Sequence, residues 1–549
     1  MAEHGDLIRL IACVIAIVAT KIVLYPSLTT AVEPTGDGAV DFIRCALIGD
    51  FPLVLFTPDA GYLPLLPRVI VEALAGVVPL NHLPQAFCWL SLVLAAVFCS
   101  VLVLPRFAAV MPSAGSRMGA ALLLGTYPDY LSNLPENLGL LSVIPLLWLG
   151  LAITEAEPWP RVALAALAGA LLMMSKPDTL TIAPVFAVAA ILALRRGRWR
   201  TAVFHGAVAT AAAFQVVFAL ATRPIHGTAW GAPAFASLKA ASFDLLNTVA
   251  TAAAAGWTLG TPENLAVGAG VLAAIAAGAA FTLRHTRKRA DLAWVLGAAL
   301  LMMVGTLAIN AFAGFRFAGE NRHGLVIVIG LVVIVAALQP FARVTWARRM
   351  GWGLAAILIA GAVTNLPRSH DLVDPAKGYA DWERTYFLAQ YDPFAIPVNA
   401  VDDPSVLWLM TNGVSFLNSD HEPWRGRPKP LGARPAAHFP LDLAKENGTS
   451  VLGAIVALGP DQPATAIEMD VDGSAPGERK KASFNVPLPN GSRYFLLDRP
   501  MTGAAALSFS VAGTPVPVDP AIALIGEPAG PPAPPQSCNS LAMFRRPTG

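Results

Sequence analysis

Charge is what this sequence has least of. Of its 549 residues only 13% are Asp, Glu, Lys or Arg and 55% are hydrophobic, whereas a soluble globular chain carries roughly 25% charged residues. That balance excludes an ordinary soluble protein. Apolar runs of roughly 20 residues, the length that crosses a hydrocarbon core of about 30 Å, recur through the first two thirds of the chain. Cysteine is scarce as well: there are five, none at metal-ligand spacing. Cys13, Cys88 and Cys99 fall in apolar segments and read as small buried residues. Cys45 and Cys538 lie in polar stretches, where an oxidising compartment would allow a disulfide between them. The net charge is only +2, and the arginines cluster in short loops rather than along a stripe, so nothing points to nucleic acid as a partner. The opening MAEHGDLIR lacks the strongly basic start of a cleaved signal, and the apolar run Leu7 to Thr29 is longer than a signal core. It reads as a retained anchor.

What is present is a polytopic pattern. Eleven membrane segments fit best, at 7–29, 85–104, 118–132, 137–154, 160–175, 179–194, 201–222, 264–283, 291–313, 323–342 and 350–366, the third interrupted by Gly125 and Pro128. Three basic clusters fix an orientation: Arg195, Arg196, Arg198 and Arg200; Arg284, Arg287, Lys288 and Arg289; Arg343, Arg348 and Arg349. An even number of crossings separates each from the others, so all share one side. Short basic loops stay cytoplasmic. The N-terminus is then inside, and the loops around 33–80, 127–137, 176–179, 223–263 and 315–323 are outside, together with everything after 366. Within 223–263, SLKAASFDLLNTVATAAAAGW reads either as a helix lying along the membrane surface or as additional membrane segment.

The first outer loop, Glu33 to Leu80, organises the rest. It carries Asp37, Asp41, Asp50 and Asp59 among glycines and prolines, then passes into a helix-like run from Arg68. After Asn365 the apolar runs shorten to strand length: 405–410, 449–458, 464–473, 482–488, 493–499 and 506–513, with a last candidate at 541–544. Turn residues such as Asn490-Gly491 separate them. The expected fold class is therefore a polytopic α-helical membrane domain, 1–366, including the acidic outer loop 30–84, followed by an extracytoplasmic, mainly-β domain of sandwich type, 367–549.

Four groups of residues could carry chemistry. Asp37 and Asp41 stand i, i+4; on a helical start they would share one side, as a general base or as ligands of a divalent cation, Mg or Mn. The plainer reading is a helix cap and a solvated carboxylate. Lys176 ends a long apolar run at a Lys-Pro break, and suits either a lipid-linked phosphate or snorkelling to the headgroups. Lys21 has the same two readings, with snorkelling ahead. Arg316, Asn321, Arg322 and His323 crowd the mouth of the tenth segment; arginine recognises phosphate bidentately and His323 can donate a proton, although pairing with Glu320 is an alternative. Tyr127, Asp129, Tyr130, Asn133, Glu136 and Asn137 share one loop and suit sugar recognition, or else the interfacial belt and a helix start.

Together these resemble the GT-C superfamily of polyprenyl-phosphate-sugar glycosyltransferases: an Asp-bearing first outer loop (Gly36-Asp37-Gly38-x-x-Asp41), a surface helix, Lys176-Pro177 at an outer helix end, and Arg and His opening a late helix. The stretch Gly61 to Arg68, GYLPLLPR, is similar to one in bacterial polytopic proteins of this type. The likeness covers residues 1–366 in architecture. It implies inverting transfer of a sugar from a lipid-phosphate donor to a glycan, lipid or protein acceptor at the outer face of a bacterial cytoplasmic membrane. Asp37 or Asp41 would be the base, and Lys176 and Arg322 would hold the donor phosphate. The sequence has no paired Asp-Asp or Asp-Glu in the first loop and no second clear metal ligand.

Other classes remain at this stage. A transporter or flippase for a lipid-linked glycan would place ionisable residues near the bilayer midplane and show repeated halves; here they gather at one face, without a repeat. An O-antigen ligase or polymerase would use a lipid diphosphate and fits the Arg and His loop, though less well the long C-terminal domain. A scaffold whose β-domain binds glycan is the third.

Overall fold

The computed structural model describes, in the helical part, residues 2–25, 51–58, 62–79, 82–127, 135–222, 262–285, 289–313, 321–338 and 345–371, with isolated positions at 42–43, 45–46, 245–246, 248–250 and 252. In the remainder it describes 395–398, 407–411, 425–426, 429–430, 435–442, 448–457, 467–482, 484–487 and 493–526. The chain forms two compact units. One comprises residues 1–29, 55–70 and 87–372, the other 30–54, 71–86 and 373–549.

Each of the eleven expected segments overlaps a helix. They are α1 (Ala2–Leu24), α3 (Leu83–Ser100), α4 (Ala114–Gly125), α5 (Val143–Ala152), α6 (Trp159–Met173), α7 (Ala183–Arg195), α8 (Trp199–Thr222), α9 (Pro262–His285), α10 (Arg289–Ala313), α11 (Asn321–Leu338) and α12 (Thr345–Asp371). The helix-like run of the first outer loop is α2 (Leu65–Ala75). Among the described residues, four stretches are long and apolar enough to cross a membrane, at 5–24, 85–109, 177–195 and 199–219, and six further apolar helices are shorter. The interrupted third segment yields only the short α4, which Ser113 starts by accepting a hydrogen bond from Ser116 N at 3.3 Å.

Prolines decide how two of these segments begin. Pro135 and Pro177 open 3-10 turns, 135–142 and 177–182, which run on into α5 and α7. A proline disfavours helical backbone in the residue before it, and Lys176 is extended, at φ −156° and ψ 147°. The turn between α7 and α8 is tight because Gly197 adopts φ 66°. There Arg198 N donates to Ala193 O at 2.9 Å and Gly197 N to Leu194 O at 3.0 Å, the paired bonds of a left-handed helix stop that glycine adopts without steric cost.

Helices pack through small residues, as expected where apolar burial against lipid gives no preference. Gly305 of α10 faces Thr181 and Gly330 of α11 faces the Ala299 carbonyl. Phe186, Phe204, His205 and Trp294 form one aromatic cluster, with Phe204 and His205 ring centroids 5.0 Å apart. In the 223–263 segment the described positions are helical, Val249 and Ala250 are buried, and the Leu246 carbonyl lies against Gly268 of α9.

The second unit holds antiparallel sheets. One has the order β4 (Lys429–Pro430), β13 (Asp519–Gly526), β6 (Gly448–Ala457), β10 (Arg493–Thr502), β9 (Phe484–Pro487). Another has the order β12 (Thr514–Pro515), β11 (Ala504–Val511), β7 (Ile467–Gly473), β8 (Arg479–Lys481), with β5 (His438–Pro440) also pairing β11. A third contains β1 (Ala395–Val398), β2 (Leu407–Thr411) and β3 (Arg425–Gly426). The first two share one core. Val451, Val456, Phe495 and Leu497 meet Met469, Val471, Leu507 and Phe509 there, and Phe509 packs edge-on against both Phe439 and Phe495. The alternating burial along β7 follows the two-residue side-chain period. Its other face carries Glu468, Asp470 and Asp472. Lys481 pairs with Glu468 at 2.7 Å, and Arg479 pairs with both Asp470 and Asp472.

Candidate functional site

The break between α6 and α7 is built by its own hydroxyls. Ser175 Oγ donates to Leu171 O at 2.7 Å, and Thr179 Oγ1 lies 2.6 Å from both the Met173 and Lys176 carbonyls. Pro177 has no N–H to continue the helix. The Lys176 backbone is therefore extended at the break. Lys176 Nζ donates to the Tyr62 hydroxyl at 2.9 Å and lies 5.2 Å from the Tyr62 ring centroid. Two residues on, Asp178 is buried.

Tyr62 is held in turn by its neighbours in the GYLPLLPR stretch. Gln215, wholly buried in the apolar α8, donates from Nε2 to Leu63 O at 3.1 Å and accepts from Leu63 N at 3.3 Å. Leu65 N donates to Met174 O at 3.0 Å, tying the stretch to the end of α6. Arg68, almost fully buried, donates from Nε to Thr57 O at 2.8 Å. The two bonds to Gln215 and the one to Met174 seat this stretch within the helical unit, and the Arg68–Thr57 bond closes it on itself.

The loop before α5 reaches the same place. Gly139 lies so close to the Lys-Pro break that a Cβ there would sit 2.8 Å from both Lys176 Cβ and Ser175 O. Only glycine permits that approach. Two residues earlier, Asn137 is 0% exposed, and among the described residues neither its Oδ1 nor its Nδ2 has a hydrogen-bond partner. A buried carboxamide so placed is unusual and costly.

The structure brings Lys176 and the 3-10 turn of Asn137 together. In the same unit the Tyr127 carbonyl accepts from Lys21 Nζ at 2.8 Å. Lys21 is 2% exposed and lies 5.0 Å from the Tyr25 ring centroid. It does not snorkel as expected; the Tyr127 carbonyl and the Tyr25 ring give its ammonium buried partners instead. Glu136 falls in the 3-10 turn 135–142, and Arg322 and His323 in the first turn of α11; their side chains are outside the described residues. Asp37, Asp41, Asp129 and Arg316 lie outside them altogether, as does the expected strand at 541–544. Among the described residues no group of three or more His, Cys, Asp or Glu could hold a metal ion, and the acidic loop residues considered as cation ligands are not among those described.

Tyr62, Gln215 and Asp178 were not singled out by the sequence reading. A lone carboxamide within the apolar run WRTAVFHGAVATAAAFQVVFALAT was the available signal for Gln215. Tyr62 carried none beyond its place in GYLPLLPR. Two further polar contacts join separate parts of the helical unit: Glu155 accepts from Arg200 N at 3.0 Å, and Arg106 reaches Glu157 at 3.6 Å. Cys13, Cys88 and Cys99 are free and buried, as expected, whereas Cys45 is disulfide-bonded; Cys538 lies outside the described residues.

No protein-family model matches the chain, and no curated protein matches it. Among solved structures, the arabinosyltransferase EmbB of Mycobacterium smegmatis is similar at 13% identity and a TM-score of 0.29, over 94% of this chain and 64% of that one. The chain thus spans less than two thirds of that protein's length.

Proposed function

We propose that the chain is a membrane glycosyltransferase. It takes a sugar from a polyprenyl-phosphate donor and passes it, with inversion, to a glycan, lipid or protein acceptor at the non-cytoplasmic face. The observation that carries this reading is Lys176, an ammonium held at a helix break by Tyr62. An intramembrane cation with a fixed position suits a phosphate that arrives laterally on a lipid tail. Cys45 supports placing the first outer loop in an oxidising compartment, since its disulfide would not persist in a reducing cytosol.

In this reaction the acceptor hydroxyl loses its proton to Asp37 or Asp41. Its oxygen bonds to the anomeric carbon as the bond from that carbon to the phosphate oxygen breaks. The departing polyprenyl phosphate gains a negative charge, which Lys176, Arg316, Arg322 and His323 offset. Tyr127, Asp129, Glu136 and Asn137 are the candidates for sugar contacts. A divalent cation, Mg or Mn, would add to the phosphate charge balance.

The test is transfer from radiolabelled polyprenyl-phosphate sugars by the purified chain in nanodiscs, with cell-envelope extract as acceptor. Asp37→Asn or Asp41→Asn should reduce turnover at least a hundredfold, within the range general-base catalysis supplies, and Lys176→Met should weaken donor use. Full activity in both Asp variants would remove the base assignment.

A further inference from the structure

The sequence reading assigned Lys176 to the donor phosphate and Asn137 to the acceptor or sugar, as members of separate outer loops. Their placement argues for one pocket. Gly139 rests on the Ser175–Lys176 backbone with no room for a Cβ, and a 3-10 helix rises only about 2 Å per residue, so Asn137 begins within a turn of the lysine. Its carboxamide is buried with neither polar atom paired among the described residues. Its Nδ2 needs an acceptor, and a ligand oxygen reaching this turn, whose Gly139 lies against the Lys176 backbone, would supply one.

Tyr62 belongs to the same arrangement in a different way. Its hydroxyl accepts from Lys176 Nζ at 2.9 Å, which places the ammonium off the hydroxyl edge of the ring. Its own position is set by the two bonds between Leu63 and Gln215 and by Leu65 N to Met174 O. A lysine on its own has four rotatable bonds and a mobile charge. Here the charge is fixed from outside.

We propose that Lys176, Asn137 and Tyr62 form a single site for the phosphate of a lipid-linked donor, in which Asn137 contacts the phosphate and Tyr62 is the positioning residue for Lys176. This rests on the glycosyltransferase reading above and moves Asn137 from the acceptor side to the donor side.

The experiment is calorimetric titration of the full chain in nanodiscs with farnesyl phosphate, and with farnesol as the uncharged control. Tyr62→Phe, which keeps the ring, and Asn137→Ser should each weaken farnesyl phosphate about tenfold, in the range of one lost hydrogen bond to a charged group, and leave farnesol unchanged. In a Lys176→Met background Tyr62→Phe should cost nothing further, because its effect passes through the lysine. A purely structural Tyr62 would lower both ligands equally, or lower farnesyl phosphate just as much without Lys176; either result overturns its role. If Asn137→Ser binds farnesyl phosphate as the unaltered chain does, Asn137 is not part of the site. If Lys176→Met binds it unchanged, the underlying phosphate reading fails instead, whatever the other two variants show.

Discussion

At the residue scale, the buried polar side chains do the most to fix the site. Gln215 replaces, in the middle of a membrane helix, the two hydrogen bonds that a neighbouring strand would give Leu63. Gln215→Leu keeps the volume and strands a buried N–H and C=O. At about 1–3 kcal/mol for each buried group left unsatisfied, the helical unit should melt several degrees lower in detergent. Because Leu63 adjoins Tyr62, donor affinity should fall as well. A variant that melts and binds like the parent would show that this clip positions nothing. Lys176 was legible in the sequence because a charge ending an apolar run at a proline has few innocent explanations. Tyr62 was not, since a tyrosine at a membrane boundary has an ordinary one. Asn137 was legible as a candidate, but the nearness of its turn to the Lys-Pro break was not: that depends on Gly139 meeting Ser175, a contact between segments distant in the sequence.

At the element scale, long apolar runs located the helices, and short apolar runs bounded by turn residues located the long strands. β6, β7, β10 and β11 fall where the apolar runs placed them. β13, Asp519–Gly526, was missed because a proline opens it and a glycine closes it, so its run reads as a turn-bounded fragment; pairing along the whole of β6 makes it a strand. The 3-10 starts at Pro135 and Pro177 escaped for a related reason: hydropathy counts apolar residues without registering which hydrogen bonds they make. The turn between β11 and β12 gives a test in the second unit. Val511 pairs with Thr514 across two residues, and both Ala512 (φ 48°) and Gly513 (φ 79°) have left-handed backbone. Two-residue hairpins of this kind favour Asn-Gly, and alanine in that region costs roughly 1–2 kcal/mol. Ala512→Asn should therefore raise the unfolding temperature of the β unit, read by scanning calorimetry. An unchanged or lower value would mean that the turn does not limit stability.

At the scale of the whole molecule, the expected topology gathers the candidate residues at one face of the bundle and the basic loops at the other. Composition alone can sort loops into two sides. It cannot bring together particular loops on one side, which is why the Lys176–Tyr62 and Glu155–Arg200 contacts had to be found in the structure. The sorting itself makes a prediction. Val77, 79% exposed, lies in the loop expected outside, and Arg198 in the turn expected inside. The three free cysteines are buried, so a cysteine added at an accessible position can be read against a low background. In spheroplasts, a membrane-impermeant maleimide should label Val77→Cys at once and Arg198→Cys only after permeabilisation. Reduction before labelling should expose Cys45 from the same side as position 77, because a disulfide in that loop needs an oxidising compartment. The reverse pattern would turn the bundle over. It would put Lys176 and Asp37 on the cytoplasmic side, where nucleotide-linked sugars rather than polyprenyl-phosphate sugars would be the donors to test.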